Sequence, residues 1–204
     1  MTGRSDVLVA DGRVRLFVAL ELPGHACDAL QVWRADVLRL AAGLRAVPPE
    51  ALHVTLCFLG WRGESEIRAI ANACAAVTCE PPVGLRLGDV KWLPARGARV
   101  LAVGIEDCTG ALMRVQATLS KALQAGSWYA PEPRPFLAHV TVARVQKGAR
   151  PPSSALASPS PVAMKASTIT LFRSRLGPSG ARYEPLHTVE LGSAAPSSDP
   201  DPMR

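Results

Sequence analysis

The sequence lacks long apolar runs, and this shortage excludes several classes of protein. No stretch among the 204 residues approaches the roughly 20 consecutive apolar residues that a membrane-spanning helix needs. The N-terminus has no apolar segment long enough for an export signal. We therefore expect a cytoplasmic protein with no membrane partner.

Cysteine is also scarce, and its spacing is uninformative. The five cysteines are odd in number, include no Cys-x-x-Cys, and do not lie beside histidines at zinc-site spacing. We interpret them as small buried residues in a reducing compartment. Glycine-rich phosphate loops, dinucleotide-binding fingerprints and serine nucleophile elbows are absent as well.

Lysine is rare too, so the formal net charge of +6 comes almost entirely from arginine. A basic balance suits a polyanionic partner. Arginine abundance can equally reflect the nucleotide composition of a genome. Charge alone therefore does not identify the partner.

One short pattern, His-x-Thr, occurs twice. Residues 52–56 read Leu-His-Val-Thr-Leu and residues 138–142 read Ala-His-Val-Thr-Val. The β-branched and aliphatic residues around each histidine predict two strands. Because side chains alternate along a strand, His53 and Thr55 share one face, as do His139 and Thr141. Each strand therefore presents an imidazole and a hydroxyl together and anchors its apolar face in a core.

The flanking segments repeat with the pattern. Residues 16–21 (Leu-Phe-Val-Ala-Leu-Glu) and 101–106 (Leu-Ala-Val-Gly-Ile-Glu) each precede a helical segment. Glu21 and Glu106 lie 85 positions apart, and the two histidines lie 86 apart. This register predicts an internal duplication whose halves bring both His-x-Thr faces into one cleft.

The predicted fold class is α+β, with two pseudo-symmetric lobes. Each lobe is expected to be an antiparallel sheet with helices on its outer face, and the active-site cleft lies between the lobes. The predicted strands are 14–22, 52–59, 83–93, 99–106, 136–145, 168–176 and 182–191; the predicted helices are 25–42, 64–77 and a third running from an N-cap at Thr109 to 125.

The predicted organisation has one folded domain between two flexible ends. Residues 1–13 are expected to be a flexible N-terminus, 14–192 a single bilobal domain, and 193–204 a disordered tail. Residues 147–161, rich in glycine, proline, serine and alanine, predict a long mobile loop. That loop follows the second His-x-Thr strand, so it is either a lid or a spacer.

Two histidines in one cleft form a natural acid–base pair. An imidazole has an unperturbed pKa of about 6.5, so one can be neutral while the other is charged near neutral pH. The neutral one accepts a proton from a nucleophile and the charged one protonates a leaving oxygen. The threonine hydroxyls can donate to a bound anion. This set suits hydrolysis of a phosphodiester.

Metal binding is the rival chemistry. Two histidines are too few for a hydrolytic metal site unless carboxylates join them, and neither motif contains one. We therefore expect neither a metal site nor a cofactor.

The chain resembles the 2H phosphoesterase superfamily, and within it the bacterial and archaeal RNA 2′,3′-cyclic phosphodiesterases, historically called 2′-5′ RNA ligases. The similarity runs from about Arg15 to Leu191. It is carried by residues 15–20 (RLFVAL), 52–60 (LHVTLCFLG), 134–144 (RPFLAHVTVAR), 174–176 (SRL) and 180–183 (GARY). Ala138 departs from the proline usual before the second histidine of this branch, which affects loop stiffness more than chemistry.

The resemblance implies a hydrolase with a role for each motif residue. His53 would be the proton donor to the leaving ribose oxygen, and His139 the proton acceptor that activates water. Thr55 and Thr141 would hold the phosphate, and the product would be a 2′-phosphate. The residues alone do not decide which histidine is the acid.

Three further residues are candidate substrate contacts. The family often has a basic residue at the position of Arg144, although a regular strand would put Arg144 on the face opposite Thr141. Phe17 either stacks on a base or belongs to the core. Tyr183 is open to the same two interpretations.

The resemblance implies RNA or a nucleotide with a 2′,3′-cyclic phosphate as partner, tRNA among the options, and we expect a monomer. Three alternatives stay open. The substrate can be a small cyclic or 2′-5′-linked nucleotide, the chemistry can run backwards as ligation, or the protein can be a non-catalytic module that binds RNA ends.

Overall fold

The computed structural model describes residues 12–152, 156–177 and 180–193. Within these ranges the chain forms a nine-stranded antiparallel sheet and three α-helices. The helices are Gly24–Leu40 (α1), Ile67–Cys74 (α2) and Ala111–Ala125 (α3). The strands are Arg13–Glu21 (β1), Leu44–Ala46 (β2), His53–Gly63 (β3), Val83–Leu93 (β4), Val100–Glu106 (β5), His139–Val145 (β6), Ala163–Ala166 (β7), Thr168–Gly177 (β8) and Gly180–Glu190 (β9).

Two groups of strands correspond to the two predicted lobes. The order across the sheet is β7-β4-β5-β6-β3-β1-β8-β9, and β2 pairs with β6. We call β3, β1, β8 and β9 lobe 1, and β7, β4, β5, β6 and β2 lobe 2. The lobes join through β3 and β6, which pair at Val54 and Val140. The α+β class and the two antiparallel lobes are confirmed, and the lobes are halves of one curled sheet.

Membership of the apolar core alternates along the strands and separates the two faces of the sheet. Alternate residues of β1 and β5 belong to the apolar core, namely Leu16, Val18, Leu20, Leu101, Val103 and Ile105. Burial of each aliphatic side chain stabilises the folded state by about 1.5–3 kcal/mol relative to leaving that side chain exposed. The residues between them face the opposite, concave side. The core therefore fixes which side chains can line a cleft.

The helices cover the core face by crossing between lobes. Helix α1 follows β1 of lobe 1 but packs on β2 and β6 of lobe 2, and α3 follows β5 of lobe 2 but packs on β3 as well as β4. The buried stripe of α3 comprises Leu112, Val115, Leu119 and Leu123. Each half of the duplication thus depends on a helix from the other.

Several predicted boundaries were wrong. Helix α3 begins at Ala111 after the left-handed Gly110, so Thr109 is not its N-cap; the Thr109 hydroxyl accepts from Ala111 N at 3.3 Å. The carboxylate of Asp107 accepts from Met113 N at 3.0 Å. The segment predicted as one helix over 64–77 is α2 between two 3-10 turns.

Two short strands were missed. Strand β2 falls in a segment expected to be a connector, and β7 follows the loop predicted over 147–161. Part of that loop contacts the scaffold: Trp33 Nε1 donates to Ala157 O at 2.9 Å and Ser158 Oγ donates to the Asp89 carboxylate at 3.2 Å. Residues 157 and 158 are therefore held against α1 and β4. Residues 153–155 of the predicted loop lie outside the described residues.

The predicted flexible ends are largely outside the described residues too. Residues 1–11 and 194–204 are not described, and β1 begins at Arg13. No helix of the described residues is long and apolar enough to cross a membrane.

The cysteines only partly match the expectation of buried residues. Cys57 and Cys74 are buried, and desolvation raises the pKa of each thiol to about 12. Cys27 is half-buried, but Cys79 and Cys108 are exposed, contrary to the expectation. All five are free thiols.

Candidate active site

The two His-x-Thr strands have the same register with their neighbours. In lobe 1, His53 pairs with Glu21 of β1 and Thr55 with Ala19. In lobe 2, His139 pairs with Gly104 of β5, and Thr141 pairs with Ala102. The predicted equivalence of Glu21 with Glu106 is therefore wrong by two positions, because Gly104 is the counterpart of Glu21.

The junction between the lobes brings the two motifs together. Val54 and Val140 pair across it and both point into the core. In antiparallel strands the residues on either side of such a pair point to the other face together. A cavity of about 80 Å³ opens on that face, lined by Val47, Ala51, His53, Thr55, His139, Thr141, Arg144 and Tyr183.

A β-bulge resolves the position of Arg144. Leu101 pairs with Ala143 while Ala102 pairs with Thr141, so Val142 is an extra residue on β6. The bulge reverses the alternation and turns Arg144 to the face of Thr141, where it lines the cleft. A regular strand would have placed it on the opposite face.

The same bulge occurs in lobe 1. Val18 pairs with Cys57 and Ala19 with Thr55, which leaves Leu56 as the extra residue on β3. Phe58 consequently occupies in lobe 1 the position that Arg144 occupies in lobe 2. It is 46% exposed and lines the cleft.

Each imidazole is oriented by the backbone just before it. His139 Nδ1 donates to the carbonyl oxygen of Leu137 at 2.8 Å, which leaves Nε2 available for a ligand. His53 is hydrogen-bonded to the backbone of Ala51, and its Nε2 lies 3.2 Å from the Thr55 hydroxyl. The two side chains are thus held in matching ways.

Burial makes the charged form of His53 costly. Desolvation is the largest effect and lowers the pKa of His53 to about 4, against a raising effect of the Ala51 hydrogen bond. Electrostatic interactions with the nearby His139 and Arg144 lower it further. His53 is therefore neutral at pH 7.

Aromatic rings surround His53. Phe17 stacks on its imidazole with centroids 5.0 Å apart, and Tyr183 meets the imidazole edge-on at 5.3 Å. Phe172 stacks on Phe17 at 5.2 Å. Phe17 is only 3% exposed, so its free surface is too small for a nucleobase and it instead supports the histidine.

A larger cavity of about 400 Å³ continues from the histidines over lobe 1. It shares His53, Thr55, Arg144 and Tyr183 with the smaller cavity; its further lining residues are Arg15, Phe17, Arg45, Phe58, Ser174, Gly177, Gly180 and Ala181. The Arg15 guanidinium lies over the Phe58 ring, 4.7 Å from its centroid. This contact has the geometry of a cation–π interaction.

All seven predicted site residues line one or both cavities: Phe17, His53, Thr55, His139, Thr141, Arg144 and Tyr183. Sequence reasoning missed Arg15, Phe58 and Phe172 as residues of the site. The first two lie inside segments that carried the family resemblance, which was the available signal. Among the described residues, no group of three or more His, Cys, Asp or Glu side chains is placed to hold a metal ion.

A curled antiparallel sheet with two His-x-Thr strands meeting on its concave face defines a 2H phosphoesterase, a class named for its two histidines. The chain belongs to the 2′-5′ RNA ligase superfamily, whose family model matches residues 22–178. This confirms the resemblance found in the sequence.

Proteins and structures similar to the chain agree with this placement. An RNA 2′,3′-cyclic phosphodiesterase of Thermus thermophilus is 30% identical over 199 residues, covering 87% of this chain and 90% of that protein. One of Archaeoglobus fulgidus is 30% identical over 135 residues, covering 66% of this chain and 74% of that protein. The crystal structure of E. coli LigT in apo form superposes with a TM-score of 0.72 at 26% identity, covering 89% of this chain and 99% of LigT.

Proposed function

We propose that this protein hydrolyses RNA 2′,3′-cyclic phosphate ends to 2′-phosphomonoesters, without a metal, by a two-histidine acid–base mechanism. The proposal rests on one observation: two equivalent His-x-Thr pairs meet at one junction, on the same face of one cleft. The names of the Thermus and Archaeoglobus relatives support the reaction class.

The proposed reaction is an attack of water on the cyclic phosphorus. His139 accepts a proton from the water as its oxygen bonds to phosphorus. The bond from phosphorus to the 3′-oxygen breaks, and His53 donates its proton to that oxygen. The product is a 2′-phosphomonoester with a free 3′-hydroxyl. Before the next turnover, His139 releases its proton to solvent and His53 takes one up.

The remaining polar groups of the small cavity bind the phosphate. Thr55 and Thr141 donate their hydroxyl protons to non-bridging oxygens, and Arg144 supplies a positive charge.

The role of His53 as proton donor requires that the bound substrate changes the protonation state of His53. With a pKa of about 4, roughly one His53 side chain in a thousand carries the proton at pH 7. The phosphate's negative charge beside His53 favours the protonated form.

The larger cavity suits the nucleoside. Its volume of about 400 Å³ lies within the range of small-molecule sites. The Arg15 guanidinium lies over one face of the exposed Phe58 ring, and the other face is offered for base stacking. Tyr183 lines both cavities, between the base and the phosphate.

The first test is turnover of adenosine 2′,3′-cyclic phosphate by the variants His53→Ala and His139→Ala. Each should lose at least about 10²–10⁴-fold in kcat, because each removes one proton-transfer group. His25→Ala, which changes an exposed histidine of α1, should keep wild-type activity. Addition of a chelator should change nothing.

Three outcomes would contradict the proposed mechanism. Near-wild-type activity in both folded variants would overturn the two-histidine mechanism. Loss of activity with chelator would require a metal. Binding of cyclic nucleotides and RNA ends without any turnover would instead favour the end-binding module.

A further inference from the structure

Lys91 lies on β4, two strands away from the His139 strand, and faces the concave side of the sheet. On β4 it pairs with Ala102 of β5, and Ala102 pairs with Thr141 of β6. Directly opposite residues in antiparallel strands point to the same face. The row Lys91, Ala102 and Thr141 therefore lies on the face that carries the histidines.

The side chain of Lys91 runs from this row toward His139. A Cβ atom on Gly104 would lie 2.8 Å from Lys91 Cε and 3.7 Å from its Cδ. Gly104 is the residue that pairs with His139. Lys91 Cε therefore lies over the residue directly opposite His139, and Cβ positions of opposite residues are about 4.5–5.5 Å apart. Only glycine at position 104 leaves room for this path.

The ammonium group of Lys91 has no hydrogen bond or ion pair with any residue in the described part of the chain. Two carboxylates of β4 and β5 are engaged with other side chains. Glu106 binds Arg86 at 2.6 Å, and Asp89 accepts from Ser158 at 3.2 Å. A positive charge on the face that carries the histidines is therefore available for a ligand.

The described part of lobe 1 has no counterpart of this cation. The residue that corresponds to Lys91, on the far side of Ala19, is Thr170. The residue that corresponds to Gly104 is Glu21, whose carboxylate accepts from the Thr170 hydroxyl. The duplicated site is thus asymmetric. In lobe 2 the Lys91 side chain lies over Gly104, which pairs with His139, and in lobe 1 the carboxylate residue Glu21 pairs with His53.

We propose that Lys91 is a substrate-binding residue whose ammonium contacts a non-bridging oxygen of the cyclic phosphate from the His139 side. This rests on the proposed function. As water adds, the phosphoryl oxygens gain negative charge on the side where His139 activates the water. An ammonium there stabilises the transition state more than the singly charged substrate.

The test compares Lys91→Met and Lys91→Arg with the wild type on adenosine 2′,3′-cyclic phosphate. Lys91→Met should lower kcat/KM about 10- to 100-fold, mainly through kcat, and Lys91→Arg should recover part of the loss. Lys165→Met is the matched control. It removes an exposed lysine of β7, which pairs with Gly84 near the far end of β4, and should leave the kinetics unchanged.

Gly104→Ala supplies an independent check. Its methyl group would displace Lys91. In the wild-type background it should therefore cause part of the loss of kcat that Lys91→Met causes, and in a Lys91→Met background it should lower kcat little further. Circular dichroism and thermal melts establish that each variant is folded. Additive losses, or a Lys91→Met variant with wild-type kcat/KM, would overturn the role of Lys91. A wild type that hydrolyses no cyclic phosphate would overturn the proposed function instead.

Discussion

At the residue scale, burial gives His53 a fixed orientation and makes its protonation costly. The ring is held between Phe17 and Tyr183 and by hydrogen bonds to Ala51 and Thr55. These contacts form only in the folded protein. Protonation of His53 therefore links the stability of the fold to pH.

We expect the folded state to lose stability as pH falls from about 6.5 toward 4. The folded pKa of His53 is about 4 and the ordinary value is 6.5, so in this window the unfolded chain binds the proton and the folded chain does not. The full difference corresponds to about 3 kcal/mol at low pH. Urea unfolding of the wild type and His53→Gln at pH 7 and pH 4 measures it.

The variant should lose less stability than the wild type over this range, since it has no proton to bind at position 53. His187→Gln, at an exposed position of β9, is the control and should follow the wild type. If His53→Gln and the wild type lost the same free energy of unfolding between pH 7 and pH 4, burial would not govern this histidine.

At the element scale, the duplicated bulge decides which side chains reach the cleft. The extra residues Leu56 and Val142 shift the alternation of β3 and β6 by one position. Phe58 and Arg144 are turned inward as a result. One lobe thereby presents an aromatic ring and the other a guanidinium, at equivalent positions around the cleft.

The bulge also marks the limit of prediction from sequence. Period-two alternation and the repeated spacing were enough to place His53, Thr55, His139 and Thr141 on one face. The face of Arg144 could not be predicted, because a bulge depends on pairing with β5 rather than on local preference. Phe172 was missed because β8 reaches the site only through its pairing with β1. The three-residue strand β2 is too short to show a period of its own.

Phe58→Ala should weaken nucleotide binding in a base-dependent way. Loss of a stacking ring costs about 1–3 kcal/mol per base, so KM for adenosine 2′,3′-cyclic phosphate should rise roughly 5- to 150-fold. Hydrolysis of ribose 2′,3′-cyclic phosphate, which has no base, should change little. Steady-state kinetics on both substrates measures the difference.

Trp61→Ala is the matched control for this prediction. Trp61 lies on the same strand and is 51% exposed, yet it does not line either cavity described above. Its removal should affect neither substrate. Equal losses on the two substrates in Phe58→Ala would show that the ring serves the phosphate site or the fold rather than the base.

At the scale of the whole molecule, the site depends on the two lobes staying together. Lobe 1 supplies His53 and lobe 2 supplies His139, and their strands pair at Val54 and Val140. The crossing helices reinforce this junction, because α1 packs on β6 and α3 on β3. Neither lobe has a complete core without the chain of the other.

We therefore expect the two lobes to unfold in one cooperative transition. Tryptophans lie in several elements, including Trp33 in α1 and Trp92 in β4, so their fluorescence reports on more than one region. Fluorescence and far-ultraviolet circular dichroism should give coincident urea curves.

Val140→Ala leaves a cavity at the junction of the lobes. It should lower the free energy of unfolding measured by both probes by about 2 kcal/mol. Val32→Ala, at an exposed position of α1, should change neither value. Separate transitions for the two probes would show that each lobe folds alone, and the cleft would then be an interface between independent units.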